Sequence, residues 1–179
     1  MVLIERTAQL ADGDEAAVRA LMREAFGSDP EERFTDDDWD HALGGTHVVA
    51  RLGDEIVGHA SVVPRTLFVG PDVWATGYVE AVAVRPDQQG RGIGTRLMDE
   101  VDDLVRRGYE LGALGTGRIA FYTRLGWQVW LGPTHVVRAE RWERSPDEDG
   151  YVLVLRHGPS ADLPLHGPIA CEERPGDDW

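Results

Sequence analysis

The stretch Gln89-Gly90-Arg91-Gly92-Ile93-Gly94 decides the fold of this chain of 179 residues. It follows an alternating apolar run over residues 78–84 and precedes a segment with helical periodicity over residues 95–108. The glycines leave backbone N–H groups uncovered at the start of the helix, where the helix dipole also places partial positive charge. A strand, a glycine turn and a helix in this order therefore predict a phosphate-binding loop.

Two common phosphate-binding patterns do not fit this stretch. The Walker pattern needs a wider glycine spacing that ends in Lys and Ser or Thr. A dinucleotide fingerprint needs Gly-x-Gly-x-x-Gly, whereas Gly90, Gly92 and Gly94 are evenly spaced. The spacing leaves open a different pyrophosphate-bearing ligand, or a glycine-rich helix start that binds nothing.

Composition excludes several classes of partner. The chain has 32 Asp and Glu residues against 18 Lys and Arg, a net charge of −14, which argues against nucleic acid or an anionic membrane. Such a surface favours a cationic ligand, or serves solubility alone. The single Cys171 cannot form an internal disulfide, so we expect a reducing cytoplasm. Without an apolar run of about 18 residues or a signal-peptide pattern, we expect no membrane segment.

Turn signals and periodicity divide the chain into strands and helices. The predicted strands cover residues 2–10, 46–52, 55–63, 65–69, 73–84, 111–115, 127–131, 136–141 and 151–155. The predicted helices cover residues 12–26, 35–43, 95–108 and 117–125. Asp12 with Glu15 indicates the start of the first helix, and Thr35 with Asp38 that of the second. The order predicts an α+β fold with a mixed sheet, in one domain of residues 1–179 with an irregular tail from residue 156.

Glu80 is a carboxylate on the predicted central strand. Alternation sends Glu80, Val82 and Val84 to one face of that strand. A charge within an apolar strand is costly unless water or a cation engages it, so Glu80 is a candidate base or ligand. A structural Glu paired with an arginine or a backbone donor is the alternative.

The spacing Gln-x-x-Gly-x-Gly, with Val-Ala-Val-Arg-Pro-Asp over residues 82–87, resembles the acyl-coenzyme A pyrophosphate loop of the GNAT acetyltransferases. The resemblance spans most of the chain. It implies a GNAT fold, with a mostly antiparallel sheet, a splayed parallel strand pair and flanking helices. It also implies acetyl-coenzyme A (acetyl-CoA) as the cofactor, with pantetheine paired to the strand backbone as though it were another strand. The implied cofactor-binding residues are Val82, Ala83, Val84, Gln89, Gly90, Arg91, Gly92, Ile93, Gly94, Thr95 and Thr116.

The same resemblance implies catalytic roles for Glu80 and Tyr122. Glu80 would line the acceptor site and relay a proton from the amine through water. Tyr122 lies in a segment that resembles the family's Phe/Leu-Tyr pair followed by three residues, Gly126 and an aromatic, Trp127. Its phenol would protonate the coenzyme A thiolate or hydrogen-bond to the sulfur. For Tyr122, an aromatic ring that only packs against the sheet is the alternative.

A further set of segments is similar to the aminoglycoside 2'-N-acetyltransferases of mycobacteria and related bacteria. The segments cover residues 34–45, 77–80, 109–114, 126–127, 132–134 and 146–150, and the ending Gly176-Asp177-Asp178-Trp179. The similarity implies transfer to the 2'-amino group of an aminoglycoside, a cationic small molecule whose ammonium groups are held by carboxylates. It implies an acceptor site built from Glu80, Ala81, Glu148, Asp149, Asp177 and the terminal Trp179, which the tail of residues 156–179 closes. Read without the similarity, residues 147–149 are an acidic turn and the tail is solvated.

The sequence departs from that family in three places. These departures bear on the identity of the acceptor more than on that of the cofactor. Arg33 stands where those enzymes have an acidic residue, and Ala81 replaces a glycine found in some members. The loop of residues 115–117 is shorter, with Thr116 in place of a serine. Arg33 and the short loop at Thr116 favour a GNAT enzyme for another small polyamine or metabolic amine as the acceptor. A non-catalytic protein that binds acyl-CoA or an aminoglycoside is a further alternative.

The remaining reactive side chains indicate no further chemistry. The six histidines are scattered, with no pair at metal-ligand spacing, so we predict no metal site. No pattern places Cys171 beside a general base, so we predict no cysteine nucleophile. Because GNAT proteins of this type are often dimers, we expect a homodimer, although the sequence does not locate its interface.

Overall fold

The computed structural model describes residues 1–27 and 34–179. Within these residues the chain forms four α-helices and ten strands. The helices are α1 (Asp12–Phe26), α2 (Asp36–His41), α3 (Ile93–Gly108) and α4 (Ile119–Thr123). The strands are β1 (Val2–Thr7), β2 (Thr46–Leu52), β3 (Glu55–Val69), β4 (Asp72–Val84), β5 (Leu111–Gly115), β6 (Gln128–Val129), β7 (Thr134–Arg138), β8 (Arg141–Arg144), β9 (Val152–Arg156) and β10 (Ile169–Glu172). Among these residues, no helix is long and apolar enough to cross a membrane.

The contacts within the chain divide it into two units. The first consists of Met1–Val63 and Val79–Asp103, and the second of Pro64–Tyr78 and Leu104–Trp179. The long strands β3 and β4 and the helix α3 contribute residues to both units. The single domain of residues 1–179 stays a prediction.

In the first unit the strand order is β1-β2-β3-β4. β1 pairs antiparallel with β2, and β2 pairs antiparallel with β3. The apolar stripe of α1, formed by Val18, Leu21 and Met22, packs into a core that also contains Trp39 and Ala83. This packing removes the apolar side chains of the stripe from water, and burial of apolar surface is the main source of stability for an amphipathic helix of this kind.

Gly58 allows α3 to approach β3 closely. A Cβ atom at this position would lie 2.9 Å from Leu97 Cδ1 and 3.3 Å from Ile93 Cγ2. Because glycine has no Cβ, the first turns of α3 pack directly against the strand. This contact positions the glycine loop, since the loop leads straight into α3.

In the second unit the strand order is β6-β9-β5-β4-β3-β10-β7-β8. Most neighbours are antiparallel, but β4 pairs parallel with β5, and β10 pairs parallel with β7. The ladder between β4 and β5 comprises three residue pairs, from Thr76 and Leu111 to Tyr78 and Ala113. The predicted α+β fold with a mostly antiparallel sheet and a short parallel pair is confirmed.

Some predicted boundaries are wrong. β3 is one strand of 15 residues, whereas two strands are predicted over residues 55–63 and 65–69, on either side of Pro64. Proline lacks an N–H donor, but on the edge of β3 that faces β2 and β10 the ladder with β2 ends at Val62 and the ladder with β10 begins at Leu67, so Pro64 falls in a gap. The predicted strand 136–141 is instead the hairpin of β7 and β8, whose turn residues Ala139 and Glu140 both have positive φ.

The tail, one helix cap and one helix start also differ from the prediction. Part of the tail is β10, which lies between β3 and β7. α1 covers the predicted residues 12–26, but it follows Ala11 without a side-chain cap, so Asp12 and Glu15 do not form a capping box. α3 begins at Ile93, inside the glycine stretch, rather than at residue 95. The capping box that Thr35 predicts at the start of α2 is confirmed.

Candidate active site

The glycine loop joins β4 to α3 through a 3₁₀ turn over Pro86–Gln88. Gly90 and Gly92 have φ angles of +73° and +79°, a region that side chains other than glycine rarely adopt. A Cβ atom built on either residue would meet no heavy atom of the described residues within 4 Å. The loop backbone is therefore accessible from outside, and its conformation depends on glycine.

The start of α3 is arranged to bind an anion. The N–H groups of a first helical turn have no hydrogen-bond partner within their helix and point outward. In this turn the first helical hydrogen bond runs from Arg96 N to Gly92 O, over 3.1 Å. Arg91 and Arg96 are both exposed. Free N–H groups, the helix dipole and two cationic side chains together favour a phosphate.

Polar side chains hold the base of the loop. The Arg85 guanidinium contacts Asp87 over 2.6 Å and Glu55 over 2.9 Å. The hydrogen bond from Arg85, supported by Gln88, keeps the pKa of Asp87 below its usual range. These contacts fix the segment that leads from β4 into the loop.

The Gln89 side chain also belongs to the base of the loop. Its Nε2 atom donates a hydrogen bond to the Val84 carbonyl over 3.0 Å. Both residues are predicted to bind the cofactor. In this structure their polar groups bind each other, so any contact of Gln89 with a ligand is left to its backbone or requires this bond to open.

Glu80 lies half-buried on β4, directly before a distortion of that strand. Ala81 has a φ of +49°, and Glu80, Ala81 and Val82 are all half-buried instead of alternating. The regular alternation predicted from Glu80 to Val84 is therefore wrong at Ala81, because a residue in the left-handed region turns the strand. We call this distortion the Ala81 kink.

Side chains of β3 contact the carbonyl oxygens of the Ala81 kink. His59 Nδ1 lies 2.8 Å from the oxygen of Ala81, and Ser61 Oγ lies 3.5 Å from that of Glu80. His59 Nε2 in turn lies 3.0 Å from His47 Nδ1 on β2. Burial lowers the pKa of His59 to about 3 and also lowers the pKa of His47, so both rings are neutral at pH 7.

No sequence pattern assigns a role to His47 and His59. Neither histidine lies at a metal-ligand or catalytic spacing, and the described residues contain no group of three or more His, Cys, Asp or Glu side chains arranged to hold a metal ion. The signal that would have found the pair is the register of β2 and β3. That register pairs His47 with Ser61 and Val49 with His59, which places both histidines on one face of the sheet.

Thr116 and Tyr122 lie in the second unit, after β5 and within α4. Thr116 N donates to the Tyr151 carbonyl over 2.9 Å. Tyr122 is buried, and its ring lies edge-on to Phe121 and Trp127 with centroid distances of 4.9 and 6.4 Å. Burial raises the pKa of Tyr122 to about 12, so its phenol keeps its proton at pH 7. A buried, protonated phenol fits both roles considered for Tyr122, as a donor to the coenzyme A sulfur and as an aromatic ring that only packs.

Acidic side chains meet at the 3₁₀ turn Pro146–Glu148. Burial raises the pKa of the half-buried Glu148 carboxyl, and the negative charges of Asp177, Asp147 and Asp178 raise it further. Like charges at this separation repel one another, and a bound cation relieves the repulsion. The structure thus brings together Glu148 and Asp177, two of the residues predicted to hold the acceptor.

Asp149 and Trp179 contribute contacts that hold this acidic turn. Asp149 accepts hydrogen bonds from Arg144 Nη2 over 2.7 Å and from Thr134 N over 2.9 Å, which keep the pKa of Asp149 well below its usual range. The buried Trp179 donates from its indole to Ser145 Oγ over 3.1 Å. Asp149 is therefore engaged within the protein, and a contact with an acceptor would replace one of these bonds.

The tail that carries Asp177 is anchored by its neighbour. The Asp178 carboxylate forms an ion pair with Arg138 of β7 and accepts a hydrogen bond from Arg174 N over 3.0 Å. The sequence analysis did not single out Asp178. Arg33 lies outside the described residues, so its effect on the acceptor stays a prediction.

Comparisons with known proteins place the chain in a family. A model of the acetyltransferase (GNAT) domain matches residues 6–130. An aminoglycoside 2'-N-acetyltransferase of Mycolicibacterium fortuitum is 38% identical over 177 residues, which cover 97% of this chain and 89% of that protein.

Two solved structures share the fold. The GNAT family N-acetyltransferase YhbS of Escherichia coli, in complex with CoA, has a TM-score of 0.70 and 20% identity, over 95% of this chain and 89% of that one. A GNAT family acetyltransferase of Brucella melitensis, in complex with acetyl-CoA, has a TM-score of 0.64 and 22% identity over 95% of both chains. The match to the domain model and the 38% identity to the Mycolicibacterium fortuitum enzyme show that the chain belongs to the GNAT acetyltransferases.

Proposed function

We propose that this protein transfers the acetyl group of acetyl-CoA to an amino group of an aminoglycoside, at the 2' position. The observation that carries the proposal is the 38% identity, over 97% of the chain, to an aminoglycoside 2'-N-acetyltransferase. The acidic group at Glu148 and Asp177 supports it, because an aminoglycoside is a polycation.

The glycine loop fits the pyrophosphate of acetyl-CoA. The loop leads into the first turn of α3, and the missing Cβ atoms of Gly90 and Gly92 leave room for phosphate oxygens to approach the backbone. Arg91 adds positive charge beside this cradle. When bound, acetyl-CoA supplies an acetyl thioester whose thiolate leaves as the new amide forms.

Glu80 is the proposed base. An ammonium group cannot attack a carbonyl until it has lost a proton, and a half-buried carboxylate on β4 can accept that proton directly or through water. The Ala81 kink turns the strand at this carboxylate. The neighbouring residues 82–84 are the proposed partners of the pantetheine amides.

Tyr122 is the proposed hydrogen-bond donor to the leaving thiolate. Its buried phenol remains protonated at pH 7, since its pKa is raised to about 12. A thiolate is a weaker base than the phenolate of such a tyrosine, so the phenol stabilises the sulfur by a hydrogen bond and keeps its own proton. Phe121 and Trp127 pack on its ring and hold its orientation.

Carboxylates of the second unit are the proposed contacts for the ammonium groups of the acceptor. Glu148 and Asp177 already lie close enough to raise the pKa of Glu148, so a cation bound there would relieve repulsion as well as form charged hydrogen bonds. We assign Asp149 and Trp179 to the same region, where their contacts with Arg144, Thr134 and Ser145 hold the turn. The tail that carries Asp177 is proposed to close this site.

A second candidate is a GNAT enzyme for a different polyamine or metabolic amine. It is favoured by Arg33, which stands where an acidic residue is expected in the aminoglycoside enzymes, and by the short loop at Thr116. A non-catalytic protein that binds acyl-CoA or an aminoglycoside is the third. A cytoplasmic location, a homodimer and a role in antibiotic resistance stay predictions, and light scattering after size-exclusion chromatography measures the dimer.

Release of free coenzyme A separates these candidates. Purified protein is supplied with acetyl-CoA and, in turn, with a panel of aminoglycosides and a panel of small metabolic amines. We expect saturable thiol release with aminoglycosides. Release with metabolic amines alone would favour the second candidate, and binding of acetyl-CoA without release for any amine would favour the third.

A further inference from the structure

The Ala81 kink has a dedicated partner in His59. The ring is fully buried, and its Nδ1 atom lies 2.8 Å from the Ala81 carbonyl oxygen. A carbonyl oxygen only accepts hydrogen bonds, so Nδ1 of His59 carries the proton and donates. Because the ring is neutral at pH 7, its Nε2 atom then has a lone pair and accepts.

His47 completes the arrangement on the other side of His59. Its Nδ1 atom lies 3.0 Å from His59 Nε2, so Nδ1 of His47 must be the donor of that bond. The Trp39 ring packs on both histidines, with centroid distances of 6.2 Å, and its Nε1 atom donates to Glu15 over 3.2 Å. The two rings therefore form a chain of donors that runs from β2 through β3 to the backbone of β4.

The conformation that this chain holds is unfavourable for alanine. A residue with a Cβ atom is strained in the left-handed region, because its Cβ approaches the following carbonyl oxygen. The carbonyl of a kinked residue also loses its regular ladder geometry and needs another donor. His59 supplies that donor directly after Glu80.

We propose that His59 is a positioning residue, held by His47, which stabilises the Ala81 kink and thereby directs the Glu80 carboxylate toward the reacting amine. This inference rests on the proposed function for the role of Glu80. Its structural part, that His59 maintains the kink, can be tested without any substrate.

The substrate-free test is spectroscopic. In protein labelled with ¹⁵N and ¹³C, we expect His59 to be in the neutral form protonated at Nδ1, and the Ala81 carbon shifts to indicate a positive φ. In a His59→Leu variant, which keeps the ring's apolar bulk but has no donor, the Ala81 shifts should move toward those of a regular strand. Protonation of His59 at Nε2 in the unaltered protein would overturn the proposal even if no variant folds.

Activity is tested with variants that separate the hydrogen bond from packing. His59→Leu should lower kcat about ten- to a hundredfold while the Kd of coenzyme A stays within about twofold. His59→Asn places an amide N–H near the position of Nδ1 and should recover most of kcat. His135→Leu is the matched control, because His135 Nδ1 contacts the Ile169 carbonyl over 3.3 Å in the second unit, and it should leave kcat unchanged.

A double variant tests the coupling to the kink. Glycine adopts a positive φ without strain, so the loss from His59→Leu should shrink to about threefold when measured in the Ala81→Gly background. An equal loss in both backgrounds would overturn the proposal. If the unaltered protein acetylates no amine, the proposed function fails, whereas the Ala81 shifts still decide whether His59 holds the kink.

Discussion

His59 Nδ1 lies 2.8 Å from the carbonyl oxygen of Ala81, and Ala81 follows directly after the proposed base, Glu80. The contact links a fully buried ring to a residue of β4 that has a positive φ of +49°. In the proposed arrangement, tertiary contacts as well as the strand itself position Glu80. Its role and its environment can be tested separately.

Replacement of Glu80 by glutamine tests the base. Glu80→Gln keeps the size of the side chain but removes the proton acceptor, so we expect kcat to fall about a hundredfold or more. The acidic limb of the pH–rate profile, which reports the ionisation of the base, should disappear. Glu24→Gln, at an exposed position on α1, is the control. An unchanged profile would leave Glu80 a binding or structural residue.

Replacement of Gly92 by valine tests the cofactor loop. Gly92 has a φ of +79°, which a β-branched residue adopts only with strain, and a side chain there would cover the N–H cradle. We expect Gly92→Val to weaken coenzyme A binding about tenfold or more in calorimetric titrations. Gly13→Val, in the first turn of α1, where a Cβ atom meets nothing within 4 Å among the described residues, should bind normally. Equal affinities would show that the loop is not the phosphate site.

The neighbouring carboxylates Glu148 and Asp149 should respond differently to neutralisation. A raised pKa means that Glu148 contributes stability when protonated and loses it as pH rises through the folded-state pKa. Glu148→Gln should therefore raise Tm slightly at pH 7 and increase the KM for a cationic acceptor.

Asp149 has a lowered pKa, so its contribution is present above the unfolded-state value of 3.8 and is lost as pH falls through the folded-state pKa. Asp149→Asn should lower Tm at pH 7. Thermal denaturation and acceptor kinetics of both variants check this contrast, and identical behaviour of the two would contradict it.

The free energy of unfolding should decrease in acid because of His47 and His59. Both pKa values are lowered from 6.5 by burial, that of His59 to about 3, so the unfolded state takes up protons first as pH falls. Glu15 on α1 opposes this effect at His47. Stability should therefore decrease below about pH 6.5, by up to about 1.4 kcal/mol per pH unit for each histidine.

Urea unfolding at pH 7, 6 and 5 measures this dependence. Carboxylates also titrate in the acid range, so the comparison is between the unaltered protein and His59→Asn, which removes one histidine and keeps a donor. We expect a shallower loss of stability in the variant, and no change of slope in the control His166→Asn, at an exposed position. If the free energy of unfolding of all three proteins falls equally with pH, His47 and His59 do not resist protonation in the folded state.

Features set by local chemistry could be predicted from the sequence. The glycine spacing and the apolar alternation before it predicted the loop, β4 and α3 within a few residues. Thr35 and Asp38 predicted their capping box because both partners lie within one helical turn. The acidic turn at Glu148 was visible as a local charge pattern.

Features that depend on residues far apart in the sequence could not be predicted from it. Two strands are predicted on either side of Pro64, but β3 is continuous, and Pro64 falls between the ladder with β2 and the ladder with β10. β10 has little strand signal of its own, since it is short and follows Pro168. It forms because β3 and β7 provide hydrogen-bonding edges on both sides.

The contact of His47 with His59 depends on a shift in register. Leu52 pairs with Glu55, and a regular hairpin continued from there would pair His47 with Ala60, which places His59 on the opposite face. The register shifts between Ala50 and Arg51, so that His47 pairs with Ser61 instead. No local sequence pattern predicts this register shift. The shift nevertheless determines which side chains reach the Ala81 kink.

The proposed activity is acetylation of the 2'-amino group of an aminoglycoside. Its most direct test uses two aminoglycosides that are matched except for an amino or a hydroxyl group at the 2' position, with acetyl-CoA as the donor. Mass spectrometry and NMR of the products should show one acetyl group, on the 2' nitrogen of the first compound, and no product from the second. Acetylation of both compounds at the same other amine, or of neither while a metabolic amine is turned over, would contradict the claim.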